Sequence, residues 1–274
     1  MQADAANIWR IPVYLPYLQP TLTDKTVADA EAELGVQLPK EYLELLRAQN
    51  GGYICFELPD MAHTVIAGIG EYFPSILHVD WDECREFVSF ELDGLIPIDG
   101  DGHWHICLDY RNSRSEPRIT YADVECDIEK VVASSFSEYL RMLHRVIPDS
   151  LVVESVTDIN LLRRAISKAL NVQFDQPDSS AHGYPVHRAN LGRAGNPEWL
   201  FLSPNDVPRS FARPHERNFT ERHRLLPGNA AHYAELPADS YLLRVPDRAR
   251  EGLLKSLEQS DWLAGPLKDY VSNQ

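Results

Sequence analysis

Five side chains with chemical capacity crowd one short stretch: Asp99, Asp101, His103, His105 and Asp109. On a strand, alternate residues share a face. His103, His105, Cys107 and Asp109 therefore line up on one side, and Trp104, Ile106 and Leu108 on the other. Two imidazoles with several carboxylates suit a hard or intermediate metal ion. Against that, alternate strand positions stand about 7 Å apart, and carboxylates in a Gly-containing turn usually face water. The stretch thus has three readings: a metal site, a polar strand that touches a partner, or an ordinary solvated face. The partner-contact reading is carried forward, with no metal and no cofactor assigned. A second acidic group, Asp80, Asp82 and Glu83, surrounds Trp81. An aromatic ringed by charge is a common interface arrangement, although a Trp serves equally well as core.

Other chemistries find little footing. RSFARPHERNFTERHR gathers Arg209, Arg213, Arg217, Arg222 and Arg224 with His215 and His223, while Glu216 and Glu221 partly cancel their charge. It reads as a phosphate contact, a contact with the acidic first domain, or a mobile loop. No GxSxG, HExxH, P-loop or GxGxxG stands in its required context, and Ser203 has no recognisable base. The expectation is a protein that is not an enzyme, with no catalytic residues. Cys55, Cys84, Cys107 and Cys126 are spaced 29, 23 and 19 apart without a CxxC pair, which favours reduced thiols and a cytoplasmic setting. The first residues, MQADAANIWRIPVYLPYL, lack the basic start and apolar run of a secretory signal, and no stretch is long and apolar enough for a membrane helix.

Charge is unevenly placed. Residues 1–150 hold 11 Lys+Arg against 26 Asp+Glu, whereas residues 151–274 hold 15 of each, so the net −15 lies entirely in the first part. Such a field repels nucleic acid and attracts basic proteins, although acidic surfaces also serve solubility alone.

The elements that would position these groups follow from periodicity. TLTDKTVADAEAELG is a helix capped by Thr23 or Asp24, with Val27, Ala30 and Leu34 inward and Gly35 as its stop. In VQLPKEYLELLRAQNGG, Pro39 suits a first helical turn, Tyr42, Leu45 and Leu46 make an apolar face, and Asn50, Gly51 and Gly52 suit left-handed backbone angles. YICFEL and HTVIAGI read as short strands, and 79–91 as a helix with Trp81, Cys84 and Val88 inward. LIPI, HWHICLDY and RITYA read as three further strands. SSFSEYLRMLHRV closes as a helix with a Ser135–Glu138 capping box and Phe136, Tyr139, Leu140 and Leu143 inward. From Ile147 the pattern restarts with a strand at LVVES and a helix capped by Thr157. A loop-rich middle (175–198 and 203–239), strands at 199–203 and 241–245, and a closing helix pair, DRAREGLLKSLEQ and DWLAGPLKDYV, complete it. The expectation is an α+β fold in two domains, 1–148 and 149–274.

Three blocks carry a family resemblance. ELGVQLPKEYLELLRAQNGG resembles the N-terminal signature of the SMI1/KNR4 family, the SUKH superfamily, with Leu34, Gly35, Leu38, Pro39, Tyr42, Leu45, Leu46, Asn50, Gly51 and Gly52 at its positions. LIPIDGDGHWHICLDYR resembles the family's central hairpin, and SSFSEYLRML its closing helix. The resemblance covers about 25–145 and implies a mostly antiparallel sheet flanked by helices, followed here by a second α+β domain of unknown type. It further implies a cytoplasmic immunity protein that binds and neutralises a cognate toxin domain, often a nuclease. The alternative is an adaptor or regulator of the same fold, and a third reading is a metal-dependent enzyme built on the 99–109 cluster or in the second domain. A nuclease that grips phosphates presents Lys and Arg, so the partner is expected to be basic. The motif residues are folding punctuation and core; the candidate contacts are Asp80, Trp81, Asp82, Glu83, Asp99, Asp101, His103, His105 and Asp109.

Overall fold

The computed structural model describes residues 2–61, 63–154, 156, 158–177, 184–212, 219–260 and 262–271. It is mixed α+β and divides into two compact units, Met1–Val146 and Ile147–Gln274.

In the first unit, α1 (Asp24–Leu34) starts where the Thr23 hydroxyl accepts from the Thr26 N–H, and stops at Gly35 with φ 66°. Leu38 donates its N–H to the Glu31 carboxylate at 2.8 Å, which ties the link to the helix it leaves. Helix α2 (Lys40–Ala48) has Pro39 as its cap, one place earlier than the sequence suggests, and buries Tyr42, Leu43, Leu45 and Leu46. Three two-residue strands follow: β1 (Gly52–Tyr53), β2 (Phe56–Glu57) and β3 (Val65–Ile66), with β1 antiparallel to β3.

A four-stranded antiparallel meander comes next: β4 (Leu95–Gly100), β5 (Trp104–Asp109), β6 (Arg118–Asp123) and β7 (Ile128–Ala133), in that order across the sheet. β7 was not legible as a strand because its first four residues are all exposed, so no alternation marks it. Helix α3 (Phe136–Met142) is capped as expected, with the Ser135 hydroxyl accepting from the Glu138 N–H at 3.1 Å. β8 (His144–Arg145) then returns antiparallel to β2.

Two expectations are corrected here. Residues 79–91 form turns, not a helix: Cys84 and Arg85 donate to the Trp81 carbonyl, Phe87 donates to that of Cys84, and the helical bonding goes no further. Trp81, Cys84 and Val88 do point inward, and burying the Trp81 indole against Leu95 outweighs continuing a weakly apolar helix. Strand β5 has no solvated face. Ile106 and Leu108 enter the main core, while Cys107 enters a second cluster with Trp81, Leu92, Leu95, Ala122 and Val124 on the other side.

The second unit holds β9 (Leu151–Val153), α4 (Ile159–Leu170), β10 (His187–Asn190), β11 (Trp199–Pro204), β12 (Asp206–Pro208), α5 (Phe219–Leu225), β13 (Asn229–Ala231), β14 (Tyr241–Arg244), α6 (Asp247–Glu258), β15 (Ala264–Pro266) and α7 (Leu267–Tyr270). Its main sheet is antiparallel in the order β10-β11-β14-β9-β15. Leu151 and Val153 share a core with Leu162 and Ile166 of α4 and Leu253 and Leu257 of α6, whereas Val152 joins Leu242 and Leu267 on the opposite face. Asp158 caps α4 by accepting from the Asn160 N–H; the expected cap, Thr157, lies outside the described residues. The closing helix pair is also corrected. Ala264–Pro266 pairs with β9, and only the single turn of α7 follows, because Gly265 and Pro266 both oppose a helix interior. The middle is less loop-rich than expected, since β10 is an edge strand and β12 and β13 form a ribbon. No helix among the described residues is long and apolar enough to cross a membrane.

Candidate functional site

The Asn50-Gly51-Gly52 turn stands behind the first wall of a cleft in the first unit, which Phe73, Pro74 and Ser75 line. Gly51 and Gly52 have φ 87° and 139°, but Asn50 does not take the left-handed angles expected of it. Its side chain is buried instead, donating to the Ile69 carbonyl at 2.9 Å and accepting from the Ile69 N–H at 2.9 Å. Gly68 packs so closely that a Cβ there would stand 2.6 Å from Gln19 Cγ and 2.7 Å from the Asn50 carbonyl oxygen. Buried Gln19 donates to the Pro74 carbonyl and accepts from the Tyr72 N–H, each at 3.0 Å. Residues 68–75 are thereby pinned by side chains that are distant in sequence. They present Phe73 to solvent, 66% exposed, with Tyr17 edge-on to its ring at 6.0 Å.

The facing wall comes from the β4–β5 hairpin. Its register shifts between Pro97 and Asp99, a bulge that re-aims the Asp99 side chain. Asp99 accepts from His63 Nδ1 at 2.7 Å, from the Thr64 and Val65 N–H groups at 2.9 and 3.1 Å, and from the Gly100 N–H at 2.8 Å. The other nitrogen of His63, a fully buried ring, bonds the Tyr139 hydroxyl. Asp99 is therefore a saturated acceptor that fixes the cleft floor to α3. Asp101 is exposed and uses one oxygen, Oδ1, to accept from the His103 and Trp104 N–H groups at 2.9 and 3.2 Å. Those backbone bonds hold its carboxyl below the usual range.

Trp81 and Asp80 complete the enclosure. Trp81 is 6% exposed and donates its indole N–H to the Leu95 carbonyl at 3.1 Å. Its ring meets His105 edge-to-face at 4.9 Å. Burial lowers the His105 pKa, against the pull of Asp101 and Asp99, so this imidazole tends to the neutral form. Asp80 is exposed and accepts from the Asp82 N–H through Oδ1 at 3.0 Å. The cleft encloses about 500 Å³. Aromatic and aliphatic walls (Tyr17, Phe73, Val79, Trp81) face three carboxylates, and among the described residues no Lys or Arg lines it.

Five of the expected contact residues thus converge on one cleft: Asp80, Trp81, Asp99, Asp101 and His105. Asp82 and Glu83 are exposed but outside its lining. His103 lies 3.3 Å from Glu125 on the surface. Two placements differ from those of surface contacts, and the second corrects the expectation of a polar strand face. Trp81 is mostly core, and Asp109 is interior at 1% exposure, accepting from Arg111, Arg118 and Thr120. Tyr17 and Phe73 were missed; the signal for Phe73 was Tyr72-Phe73-Pro74, aromatics in a stretch with no period to bury them. Among the described residues, no three His, Cys, Asp or Glu side chains are grouped to hold a metal ion. Of the arginine-rich stretch, Arg213, His215, Glu216 and Arg217 lie outside the described residues, while Arg222 is buried.

Comparison with known families decides what surrounds this cleft. Residues 21–142 match the SMI1 / KNR4 family (SUKH-1). They are a SUKH-1 domain. The motif residues of that domain behave as structure: Tyr42 donates its hydroxyl to the Ala67 carbonyl at 2.6 Å, and Gly35, Gly51 and Gly52 occupy positive φ. The match ends at residue 142, so the second unit lies outside the SUKH-1 domain. No curated protein matches the chain.

Proposed function

We propose that this chain is an immunity protein whose SUKH-1 domain binds and neutralises a cognate, basic toxin domain by protein–protein contact, in the cytoplasm and without turnover. SUKH domains are commonly immunity proteins, and residues 21–142 are such a domain. The observation that carries the reading to a site is the convergence of Asp80, Asp99 and Asp101 with Trp81 and His105 in one cleft. That cleft lies in the part of the chain holding the whole net charge of −15. Opposite potentials speed encounter, and an aromatic-walled recess supplies the buried anchor that surface charge alone lacks.

Co-expression with toxin domains encoded beside the gene is the test. One of them is expected to lose its lethality and to co-purify with the full chain. Absence of both effects against every neighbouring toxin domain would favour the adaptor reading.

A further inference from the structure

We infer that the cleft between Trp81, Phe73 and the Asp80–Asp101 pair seats an arginine side chain of the partner. This rests on the reading that the SUKH-1 domain binds a basic protein, and it names the group that enters.

Three features select a guanidinium. First, Asp80 and Asp101 each spend one oxygen, Oδ1, on backbone N–H groups of their own turns, which fixes the carboxylates. The Trp104 side chain also bonds the Asp101 carboxyl, and beyond these bonds the two exposed carboxylates keep open acceptor positions at the mouth among the described residues. Second, Asp99 adds negative field from the floor, but its protein partners already saturate it, so it does not compete for the ligand's donors. Third, the walls are aromatic. Phe73 holds its ring in solvent at 66% exposure with Tyr17 beside it, and the Trp81–His105 pair lies deeper. A guanidinium is planar and weakly hydrated, forks onto carboxylates and stacks on rings, whereas an ammonium keeps its water more tightly. Among the described residues no Lys or Arg joins the lining; its basic groups are the imidazoles of His78 and His105, the latter tending to the neutral form, so the fixed charge there is negative.

The probe is Nα-acetyl-arginine amide, titrated into the isotope-labelled full chain with the Trp81 indole N–H and the Gly102 amide as NMR reporters. Its lysine and citrulline counterparts serve as competitors of altered charge or geometry. The arginine probe is expected to shift both reporters saturably, with the lysine probe weaker and the uncharged citrulline probe about tenfold weaker or worse. Asp80→Asn combined with Asp101→Asn is expected to weaken the arginine probe by about tenfold, and Phe73→Ala, at an exposed position, to weaken it without altering the fold. Glu86→Gln, on the surface away from the cleft, is the charge control. Equal binding of citrulline, shifts confined to other surfaces, or indifference to the Asp80/Asp101 change would overturn the inference. Protection from a toxin without arginine binding removes this inference and leaves the immunity reading; arginine binding without protection does the reverse.

Discussion

Asp109 shows how a residue of the right chemical type can be wholly structural. Burial opposes its charge, but the paired donors of Arg111, together with Arg118 and Thr120, win, and its carboxyl is held well below the usual range. Asp109→Asn is expected to cost about 3 kcal/mol at neutral pH, read by urea denaturation, because it leaves the half-buried Arg111 and Arg118 short of their counter-charge. A lowered folded-state pKa contributes stability that is complete above the unfolded value and is lost as pH falls through the folded one. The gap between parent and variant should therefore be constant down to about pH 4 and close below it. The sequence marked Asp109 as chemically capable but could not mark it as buried. Its partners Arg118 and Thr120 come from the next strand, and only the β5–β6 register brings them together. Asn50 is the same case, since Pro20 and Ile69, which it bonds, lie 30 and 19 residues away.

At the scale of elements, the glycine-closed turn after α2 is a packing joint as much as a stop. A Cβ on Gly51 would meet the Gly68 nitrogen at 2.8 Å, and its φ of 87° disfavours any side chain. Gly51→Ala is expected to destabilise the protein by about 2 kcal/mol, seen as a lower melting temperature. Gly68→Ala should do likewise and be partly rescued by Gln19→Ala, which removes the Cγ it would strike. A Gly68→Ala protein as stable as the parent would show that the joint has slack. Long periodic helices and the β4–β5–β6 run were legible because each declares its buried face locally. The 79–91 turns were not, since Trp81, Cys84 and Val88 satisfy a helical spacing while packing as irregular chain. The 68–75 wall and the Asp80–Trp81 side of the cleft hang on such segments, which is why half of its composition was visible and its shape was not.

For the whole molecule, the segregation of charge predicts a division of labour. Raising ionic strength from about 0.01 M to 0.15 M shortens the screening length from about 30 Å to about 8 Å. Association with a basic toxin domain should slow steeply over that range, while dissociation changes less. A 1–146 fragment should fold with a cooperative melt, given its own core, and keep most of this salt dependence. Stopped-flow kinetics on both proteins would test it; salt-independent association would leave the acidic surface as a solubility device. The second unit was readable as α+β from its strands and helices. No motif in it spoke to function, and its core, like most cores, is chemically mute.

Strand β7 has a consequence of another kind. Among the described residues no strand pairs with its outer side, and Ile128 and Val131 are 51% and 46% exposed. An open edge with apolar side chains is a template on which other chains can lengthen the sheet. Exposed Lys130 interrupts that template, because a like strand laid against it would bring lysines together or bury an unpaired cation. The domain thus carries, within six residues, both the invitation to polymerise and the charge that declines it.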